Sequence, residues 1–237
     1  MIALMSALSG KTILVTGASS GIGKATALAL HNAGASVHGV SRQRDRVPKE
    51  IERHSCDLLS ERKIARLFHK LPALDAVINC AGKAYLSPIT EGNPVEWETM
   101  WRLNVHALAL CCQHAARLLS DHGTILNVSS LSGWRVPPTG GFYAPTKFAV
   151  RAITEALRSE LRAKGSTLRV GSISPGFVDT PLLDDYFKGR EQELKAQRSD
   201  SMMLTSEDIA ASILHLLETP KHVEIGDIQL RSVDQKI

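Results

Sequence analysis

The sequence is poor in the features that mark specialised classes of chain. Only 5% of the 237 residues are aromatic, and 10 prolines and 17 glycines are too few for a collagen-like or low-complexity chain. Hydrophobic residues make up 43% and charged residues 22%, a balance that excludes a disordered chain. A domain of this length buries roughly 70% of its unfolded surface. We therefore expect one globular domain over residues 1–237.

Long apolar runs and long basic runs are also missing. No stretch reaches the length of about 18 apolar residues that a membrane span needs, and residues 1–8 lack the basic and long apolar segments of a signal peptide. The net charge is +4, but no long basic run of the kind that follows a nucleic-acid backbone is present. These absences predict a cytoplasmic protein with neither a membrane nor a nucleic-acid partner.

The spacing of cysteines and histidines gives no sign of a metal site or a disulfide framework. The four cysteines, Cys56, Cys80, Cys111 and Cys112, form no C-x-x-C pair, and the nine histidines include no H-E-x-x-H spacing. The sequence therefore predicts buried thiols and no metal in the site.

Short β-branched segments alternate with helical patterns along the whole chain. The predicted strands lie at about 11–16, 35–40, 52–56, 74–80, 123–129, 167–174 and 222–230. Alternation of this kind is typical of an α/β fold whose parallel sheet is covered on both faces. We expect a doubly wound, seven-stranded parallel sheet.

Capping residues predict where two helices begin. Asn93, Pro94 and Glu96 suit the start of a long helix that runs to about Leu119. A further long helix, without such a cap signal, is expected over about 142–163. Thr205 followed by Ser-Glu-Asp predicts the start of the last helix.

The segment 181–204 differs from its surroundings. It is charged, contains Gly189 and follows a strand end at Pro175-Gly176. Long excursions at the carboxyl end of a strand often cover a substrate. We expect 181–204 to form a mobile substrate lid.

A glycine-rich turn joins the first strand to the first helix. Thr16 to Gly23 reads T-G-A-S-S-G-I-G, so glycines fall where the chain must turn tightly and let a pyrophosphate approach a helix N-terminus. The phosphate loop of nucleoside triphosphatases does not match, because Ala18 and Ala25 stand where that motif needs Gly and Ser or Thr. A dinucleotide site is the favoured reading, and a generic tight turn is the alternative.

The end of the second predicted strand indicates which dinucleotide binds. An acid there would accept the ribose hydroxyls of NAD, whereas a cation suits the 2′-phosphate of NADP. The sequence has Ser41 and Arg42 at this place and no acid before Asp45. It therefore predicts NADP (NADPH), with Arg42 as the phosphate ligand and Ser41 as a hydroxyl donor.

Three spaced residues indicate proton chemistry. Ser130 ends the fifth predicted strand, Tyr143 follows 13 residues later, and Lys147 lies one helical turn beyond Tyr143 on the same face. A phenol with a pKa of about 10 is a poor base at neutral pH. We expect Lys147 and a positive nicotinamide ring to lower the pKa of Tyr143, which exchanges a proton with the substrate oxygen while Ser130 hydrogen-bonds it.

With these motifs in order, the sequence resembles the short-chain dehydrogenase/reductase family over nearly its whole length. The matching elements are Thr16 to Gly23, Asp57-Leu58, Asn79-Cys80-Ala81-Gly82, Asn104, Ser130, Tyr143 with Lys147, and Pro175 to Thr180. The resemblance implies a Rossmann fold and a catalytic tetrad of Asn104, Ser130, Tyr143 and Lys147, in which Asn104 holds a water of a proton relay. The sequence departs from the family pattern at Cys80 and Pro145, and neither change is expected to abolish activity.

The motifs and the resemblance together define candidate ligand-binding residues. The candidate cofactor-binding residues are Gly17, Ser19, Ser20, Gly21, Ile22, Gly23, Ser41, Arg42, Asp57, Leu58, Asn79, Ala81, Gly82, Tyr143, Lys147, Pro175, Gly176, Val178 and Thr180. The candidate substrate residues are Ser130, Trp134, Tyr143, Leu182 and Tyr186, with Val136, Leu183, Phe187, Met202 and Met203 as further apolar lining. This lining favours an apolar ketone, aldehyde or secondary alcohol, whereas Arg135 or Lys188 would favour a carboxylate.

Several readings of function are compatible with these residues. Segments such as Gly133 to Val136 and Thr219 to Arg231 look like the dehydrogenase/reductase member-eleven group, near insect farnesol dehydrogenases and bacterial 3-hydroxy acid dehydrogenases. The favoured function is an NADP-dependent alcohol dehydrogenase or carbonyl reductase. A 3-hydroxy acid (serine-type) dehydrogenase and a non-catalytic Rossmann binding module are the alternatives, while a sugar-nucleotide epimerase needs a longer chain.

Association is expected through the two long helices. Their apolar residues occupy more than one stripe, which leaves surface to bury against another subunit. The residues concerned are Leu108, Leu110, Val150, Ile153 and Leu157. Together with the family resemblance, they predict a homodimer or homotetramer.

Overall fold

A computed structural model describes residues 6–138, 140–200 and 202–235 and contains one seven-stranded sheet. The strands are β1 (Thr12–Thr16), β2 (Ser36–Ser41), β3 (Glu52–Ser55), β4 (Leu74–Asn79), β5 (Leu119–Val128), β6 (Arg169–Pro175) and β7 (Asp227–Leu230). Every neighbouring pair is parallel, in the order β3-β2-β1-β4-β5-β6-β7. The predicted α/β class and doubly wound parallel sheet are confirmed. The order reverses between β1 and β4, which is where such sheets bind ligands.

Helices connect the strands and cover the sheet. They are α1 (Gly21–Asn32), α2 (Glu61–Lys70), α3 (Pro94–Trp101), α4 (Leu108–Leu118), α5 (Tyr143–Ala163), α6 (Pro181–Tyr186), α7 (Glu191–Asp200) and α8 (Ser206–Glu218), with short 3₁₀ helices at Arg44–Arg46 and Leu131–Gly133. The predicted caps are present: Asn93 Oδ1 accepts the Val95 N–H at 3.0 Å, and Thr205 and Asp208 form a capping box. Pro145 lies in the first turn of α5, where no backbone donor is needed.

The long helix expected over 94–119 is interrupted. A π-helical segment, Arg102–Ala107, separates α3 from α4. Within it, the Asn104 side chain bonds to both the N–H and the C=O of Lys83 at 2.8 Å. Single π turns occur frequently at functional sites. A sequence pattern with apolar residues at helical spacing does not distinguish this segment from a regular α-helix.

Buried apolar residues fill both faces of the sheet. Along β1, Ile13 and Val15 face α1 and α8, whereas Leu14 faces α2, α4 and α5. Three of the four cysteines are buried and Cys80 is half-buried, and all four are free thiols, as expected. Among the described residues, no helix has both the length and the apolar character needed to cross a membrane.

The apolar residues that were expected to drive association pack inside the chain. Leu108 and Val150 are buried, and Leu110, Ile153 and Leu157 lie partly buried against the same core. That part of the sequence interpretation is corrected: the spread of apolar positions reflects contacts with α2 and the sheet. The exposed large side chains on these helices are Val95, Trp101 (45% exposed) and Phe148 (39%).

The segment 181–204 forms a small unit beside the sheet. It contains α6 and α7, and it ends at Leu204, which forms a parallel bridge with Val178. Leu183, Tyr186, Phe187 and Leu194 make a separate apolar cluster, against which Tyr143 packs. The segment therefore lies where a substrate lid would, and its mobility stays a prediction.

Candidate active site

A large cleft opens at the carboxyl ends of β1, β2, β4, β5 and β6. Its volume is about 1330 Å³, which exceeds the roughly 300–1,000 Å³ of a typical small-molecule site. One side is lined by the glycine-rich turn and the strand ends, and the other by α6 and the residues after β5. The cleft therefore has room for a dinucleotide together with a second small molecule.

The glycine-rich turn has the close packing that a dinucleotide site needs. Gly17 has a φ of +72°, and a Cβ on it would lie 2.9 Å from the Ala81 Cα. A Cβ on Gly23 would lie 2.4 Å from the Gly17 carbonyl oxygen. Thr16 Oγ1 accepts the N–H groups of Cys80 and Ala81 at 3.0 and 3.1 Å, which joins the turn to the end of β4. The residues present fit a pyrophosphate against the N-terminus of α1.

The end of β2 carries an exposed basic group at the far end of the cleft. Ser41 and Arg42 line the cleft as predicted, and Arg46 lines it too. Arg44 differs from them, because its guanidinium donates to the Arg53 carbonyl and does not line the cleft. Arg46 was not predicted to line the cleft, although the alternation of Arg42, Arg44 and Arg46 in the sequence could have indicated it.

Ser130, Tyr143 and Lys147 meet at the centre of the cleft. Lys147 Nζ donates to the Val128 carbonyl at 2.9 Å and lies 5.6 Å from the centre of the Tyr143 ring. The Ser130 hydroxyl accepts the Ser132 N–H at 3.1 Å and hydrogen-bonds the Tyr143 phenol. The segment directly after β5 and the first two turns of α5 thus bring together three side chains that are at most 17 residues apart in the sequence.

Burial dominates the protonation of these groups. Burial raises the pKa of the Tyr143 phenol, and the hydrogen bond from Ser130 opposes that shift. Burial also lowers the pKa of the Lys147 ammonium to about 8. Among the protein's own groups, the pKa of Tyr143 therefore shifts in the direction opposite to the lowering expected from the sequence, because desolvation of the phenolate outweighs the hydrogen bond from Ser130.

Asn104 holds the backbone beside the cleft. Besides its two bonds to Lys83, its Nδ2 donates to Thr146 Oγ1 at 3.2 Å, and Thr146 in turn donates to the Tyr143 carbonyl at 2.7 Å. Asn104 therefore connects the loop after β4 with the start of α5, and Thr146 is a link that the sequence did not reveal. The role of Asn104 in a water relay stays a prediction.

Most candidate cofactor residues line the cleft, with one exception. Those that do are Gly17, Ser19, Ser20, Gly21, Ile22, Gly23, Ser41, Arg42, Asp57, Leu58, Ala81, Gly82, Tyr143, Lys147, Pro175, Gly176, Val178 and Thr180. Asn79 is placed elsewhere: its side chain is buried and donates to Asn127 Oδ1 at 2.9 Å. Asn127 donates to Thr154 Oγ1 at 2.9 Å, so this amide pair joins β4 and β5 to α5. Asn79 therefore does not line the cleft, and it holds together the strands and the helix whose ends form the cleft.

Candidate substrate residues divide into two groups. Leu182, Leu183, Tyr186, Phe187 and Val136 line the cleft. Trp134 does not: its indole N–H donates to Ser174 Oγ at 3.2 Å, and the Arg151 guanidinium lies 3.2 Å from the ring centre. Met202 is 78% exposed and, like Met203, lies outside the described cleft lining. The expectation of an adaptable methionine lining is therefore corrected.

Charged groups also line the side of the cleft that α6 forms. Lys83 Nζ pairs with Asp185 of α6 at 2.6 Å, and both residues line the cleft. Arg135 lines it as well, whereas Lys188 is exposed and does not. Lys83 and Asp185 were not among the residues predicted from the sequence, because 102 residues separate them.

Within the described ranges, one group of potential metal ligands occurs, and it lies outside the cleft. His38 Nδ1 and His54 Nε2 are 3.0 Å apart on β2 and β3, each 3.5 Å from a Glu52 oxygen. The two ring nitrogens hydrogen-bond each other. The expectation that the active site uses no metal stays a prediction.

Comparisons with known proteins agree with this geometry. A family model described as short chain dehydrogenase matches residues 11–191. Dehydrogenase/reductase SDR family member 11 of Gallus gallus is 36% identical over 248 residues, covering 95% of this chain and 97% of the relative. Two solved structures are similar: the closed form of serine dehydrogenase complexed with NADP+ (26% identity, TM-score 0.88, 95% and 96% coverage), and an alcohol dehydrogenase of Thermococcus sibiricus complexed with 5-hydroxy-NADP (25%, 0.81, 97% and 99%).

Proposed function

Because the chain belongs to the short-chain dehydrogenase family and is an oxidoreductase of that family, we propose that it interconverts a secondary alcohol and a ketone, or an alcohol and an aldehyde, with NADP(H). The observation that carries the proposal is the meeting of Ser130, Tyr143 and Lys147 in the cleft that the glycine-rich turn lines. A non-catalytic binding module has no need of these three side chains together in the cleft.

The chain's own residues supply the proton chemistry. When bound, the nicotinamide supplies or accepts a hydride. The Tyr143 phenol carries its proton at neutral pH, as an ordinary phenol does, and burial raises its pKa further, so a proton is available for a carbonyl oxygen. Ser130 donates a hydrogen bond to the same oxygen and stabilises the charge that develops there. Lys147 would hold the nicotinamide ribose, and Asn104, which bonds the backbone of Lys83, would keep the loop after β4 in place for the relay water.

The preference for NADPH rests on charge at the end of β2. Arg42 and Arg46 line this end of the cleft, and Ser41 is the nearby hydroxyl donor. Two cations suit a 2′-phosphate and offer little to an uncharged ribose. Two similar structures were solved with NADP or a derivative of it, which supports the same choice.

The substrate wall favours an apolar carbonyl compound. Its side chains include Leu182, Leu183, Tyr186 and Phe187, and the Lys83 cation is already paired with Asp185. A second candidate is a 3-hydroxy acid, because Arg135 lines the cleft and the chain resembles a serine dehydrogenase.

We also propose a homodimer or homotetramer, for which light scattering at micromolar concentration should give the mass of two or four chains.

A substrate screen tests the function. Purified protein is mixed with NADPH and with aryl ketones, steroid ketones, terpenoid aldehydes or 3-oxo acids, and cofactor oxidation is followed by absorbance. We expect higher kcat/KM for the neutral compounds than for the acids, and no large change on Arg135→Ala. A small hydroxy or oxo acid as best substrate, with its KM raised steeply by Arg135→Ala, would instead support the second candidate.

A further inference from the structure

The segment that follows β7 returns to the wall of the cofactor cleft. The Leu230 carbonyl accepts the Gly176 N–H at 2.8 Å, and the chain then turns, with the Gln235 N–H donating to the Ser232 carbonyl at 3.1 Å. Val233 in this turn is 99% exposed, whereas Gln235 is half-buried and lines the cleft. The turn therefore places the Gln235 side chain in the wall of the cleft.

The Gln235 amide fits closely against the loop after β6. Its Oε1 accepts the Phe177 N–H at 2.9 Å. A Cβ on Gly176 would lie only 2.0 Å from the same oxygen, so glycine at 176 is what admits the amide. This gives Gly176 a steric role that the motif alone does not explain.

Phe177 is the residue at which the loop after β6 meets the end of segment 181–204. Its N–H donates to Gln235 Oε1, and its carbonyl accepts the Leu204 N–H at 3.2 Å, where that segment ends. The Phe177 ring packs with Tyr143 against the cluster of Leu183, Tyr186 and Phe187. Because Phe177 packs with Tyr143 against this cluster and bonds to segment 181–204, a displacement of Phe177 would affect the position of both.

We propose that Gln235 is a positioning residue of this site: it holds Phe177 so that the loop from Pro175 to Val178 can bind the nicotinamide end of the cofactor and the lid stays anchored. The part of this inference that concerns the cofactor rests on the proposed function. The part that concerns the lid does not.

Three variants separate positioning from other roles. Gln235→Ala removes the acceptor, and we expect the Kd of NADPH, measured by cofactor fluorescence, to rise about three- to tenfold, the range of one lost hydrogen bond. KM for NADPH should rise by a similar factor, with kcat changing less. Gln235→Glu keeps an oxygen for Phe177 and should restore most of the affinity. Val233→Ala, in the same turn, is the matched control and should leave Kd within twofold.

A measurement without cofactor tests the lid anchor separately. Lys188 and Arg190 are exposed trypsin sites in segment 181–204. Gln235→Ala should be cleaved there several-fold faster than wild type and Val233→Ala. Equal cleavage rates and equal NADPH affinity for the Gln235→Ala and Val233→Ala variants would overturn the inference. A wild type that binds neither NADPH nor NADH, but whose Gln235→Ala variant is cleaved faster, would overturn the proposed function and leave the lid anchor standing.

Discussion

The two walls of the cleft are built from different parts of the chain. The cofactor wall consists of glycines, backbone N–H groups and strand ends, fixed by the bonds from Thr16 to Cys80 and Ala81. The substrate wall consists of side chains on α6, and the ion pair of Lys83 with Asp185 fastens it to the loop after β4. The first wall depends on backbone geometry and the second on side-chain contacts over a long sequence separation.

This difference determines what a substitution does. A Cβ at Gly17 or Gly23 meets backbone atoms within 3 Å, so the cofactor wall tolerates little change. The substrate wall presents half-buried side chains such as Leu182 and Asp185, which can be replaced without moving the backbone. We therefore expect changes in the first wall to abolish cofactor use or change its type, and changes in the second to alter substrate preference.

The largest effect is expected between the two walls, at Tyr143. Tyr143→Phe keeps the packed ring and removes the proton, so turnover should fall about 10²- to 10⁴-fold, the usual contribution of general acid–base catalysis. The Kd of NADPH should stay within about twofold, because the ring still fills its place in the apolar cluster. Steady-state kinetics and cofactor fluorescence measure the two quantities. Retention of a tenth of the activity would assign the acid–base role elsewhere.

The next largest effect is expected at Arg42 on the cofactor wall. Arg42→Asp removes a cation from the 2′-phosphate and offers the ribose hydroxyls an acceptor, so the ratio of kcat/KM for NADPH to that for NADH should fall on the order of 100-fold. Arg44→Asp is the matched control, since Arg44 lies in the same turn but does not line the cleft. Equal ratios in the two variants would show that Arg42 does not bind the phosphate.

A smaller effect is expected on the substrate wall. Asp185→Asn leaves Lys83 without its carboxylate partner, so the freed ammonium is available to a carboxylate on the substrate. The kcat/KM for 3-oxo acids should rise about tenfold, while that for neutral ketones changes little. Asp184→Asn is the control, because Asp184 pairs with Arg198. An unchanged preference would mean that the Lys83 cation does not face the substrate.

The smallest effect is a pH dependence of cofactor binding. Burial lowers the pKa of Lys147 to about 8, so its ammonium loses the proton as the pH rises through that value. If the ammonium binds the cofactor, the Kd of NADPH should increase by a few-fold between pH 7 and pH 9. Fluorescence titration at several pH values checks this. A Kd that stays constant over the same interval would remove Lys147 from cofactor binding.

The parts of the molecule that the sequence predicted are those that local patterns determine. Seven strands, the capping residues Asn93 and Thr205, and the glycine-rich turn follow from nearby residues, and the structure confirms them. The π-helical segment at Asn104 could not be predicted, because the Asn104 side chain bonds to the backbone of Lys83, which lies 21 residues away in the sequence. Trp134 was misplaced for a similar reason: adjacency to Ser130 in sequence does not reveal that Ser174 and Arg151 hold the indole elsewhere.

Hydride transfer is the central claim, and isotope transfer tests it directly. Wild-type protein is incubated with NADPH that carries deuterium at both positions of the nicotinamide C4 and with the best ketone of the screen, and the alcohol is examined by mass spectrometry and proton NMR. The proposed function predicts one deuterium per molecule of product, on the carbon that carried the oxygen, and about 100-fold less of this product or lower still with Tyr143→Phe at the same enzyme concentration and time. Bound NADPH that reduces no carbonyl compound would contradict it and favour a non-catalytic binding module.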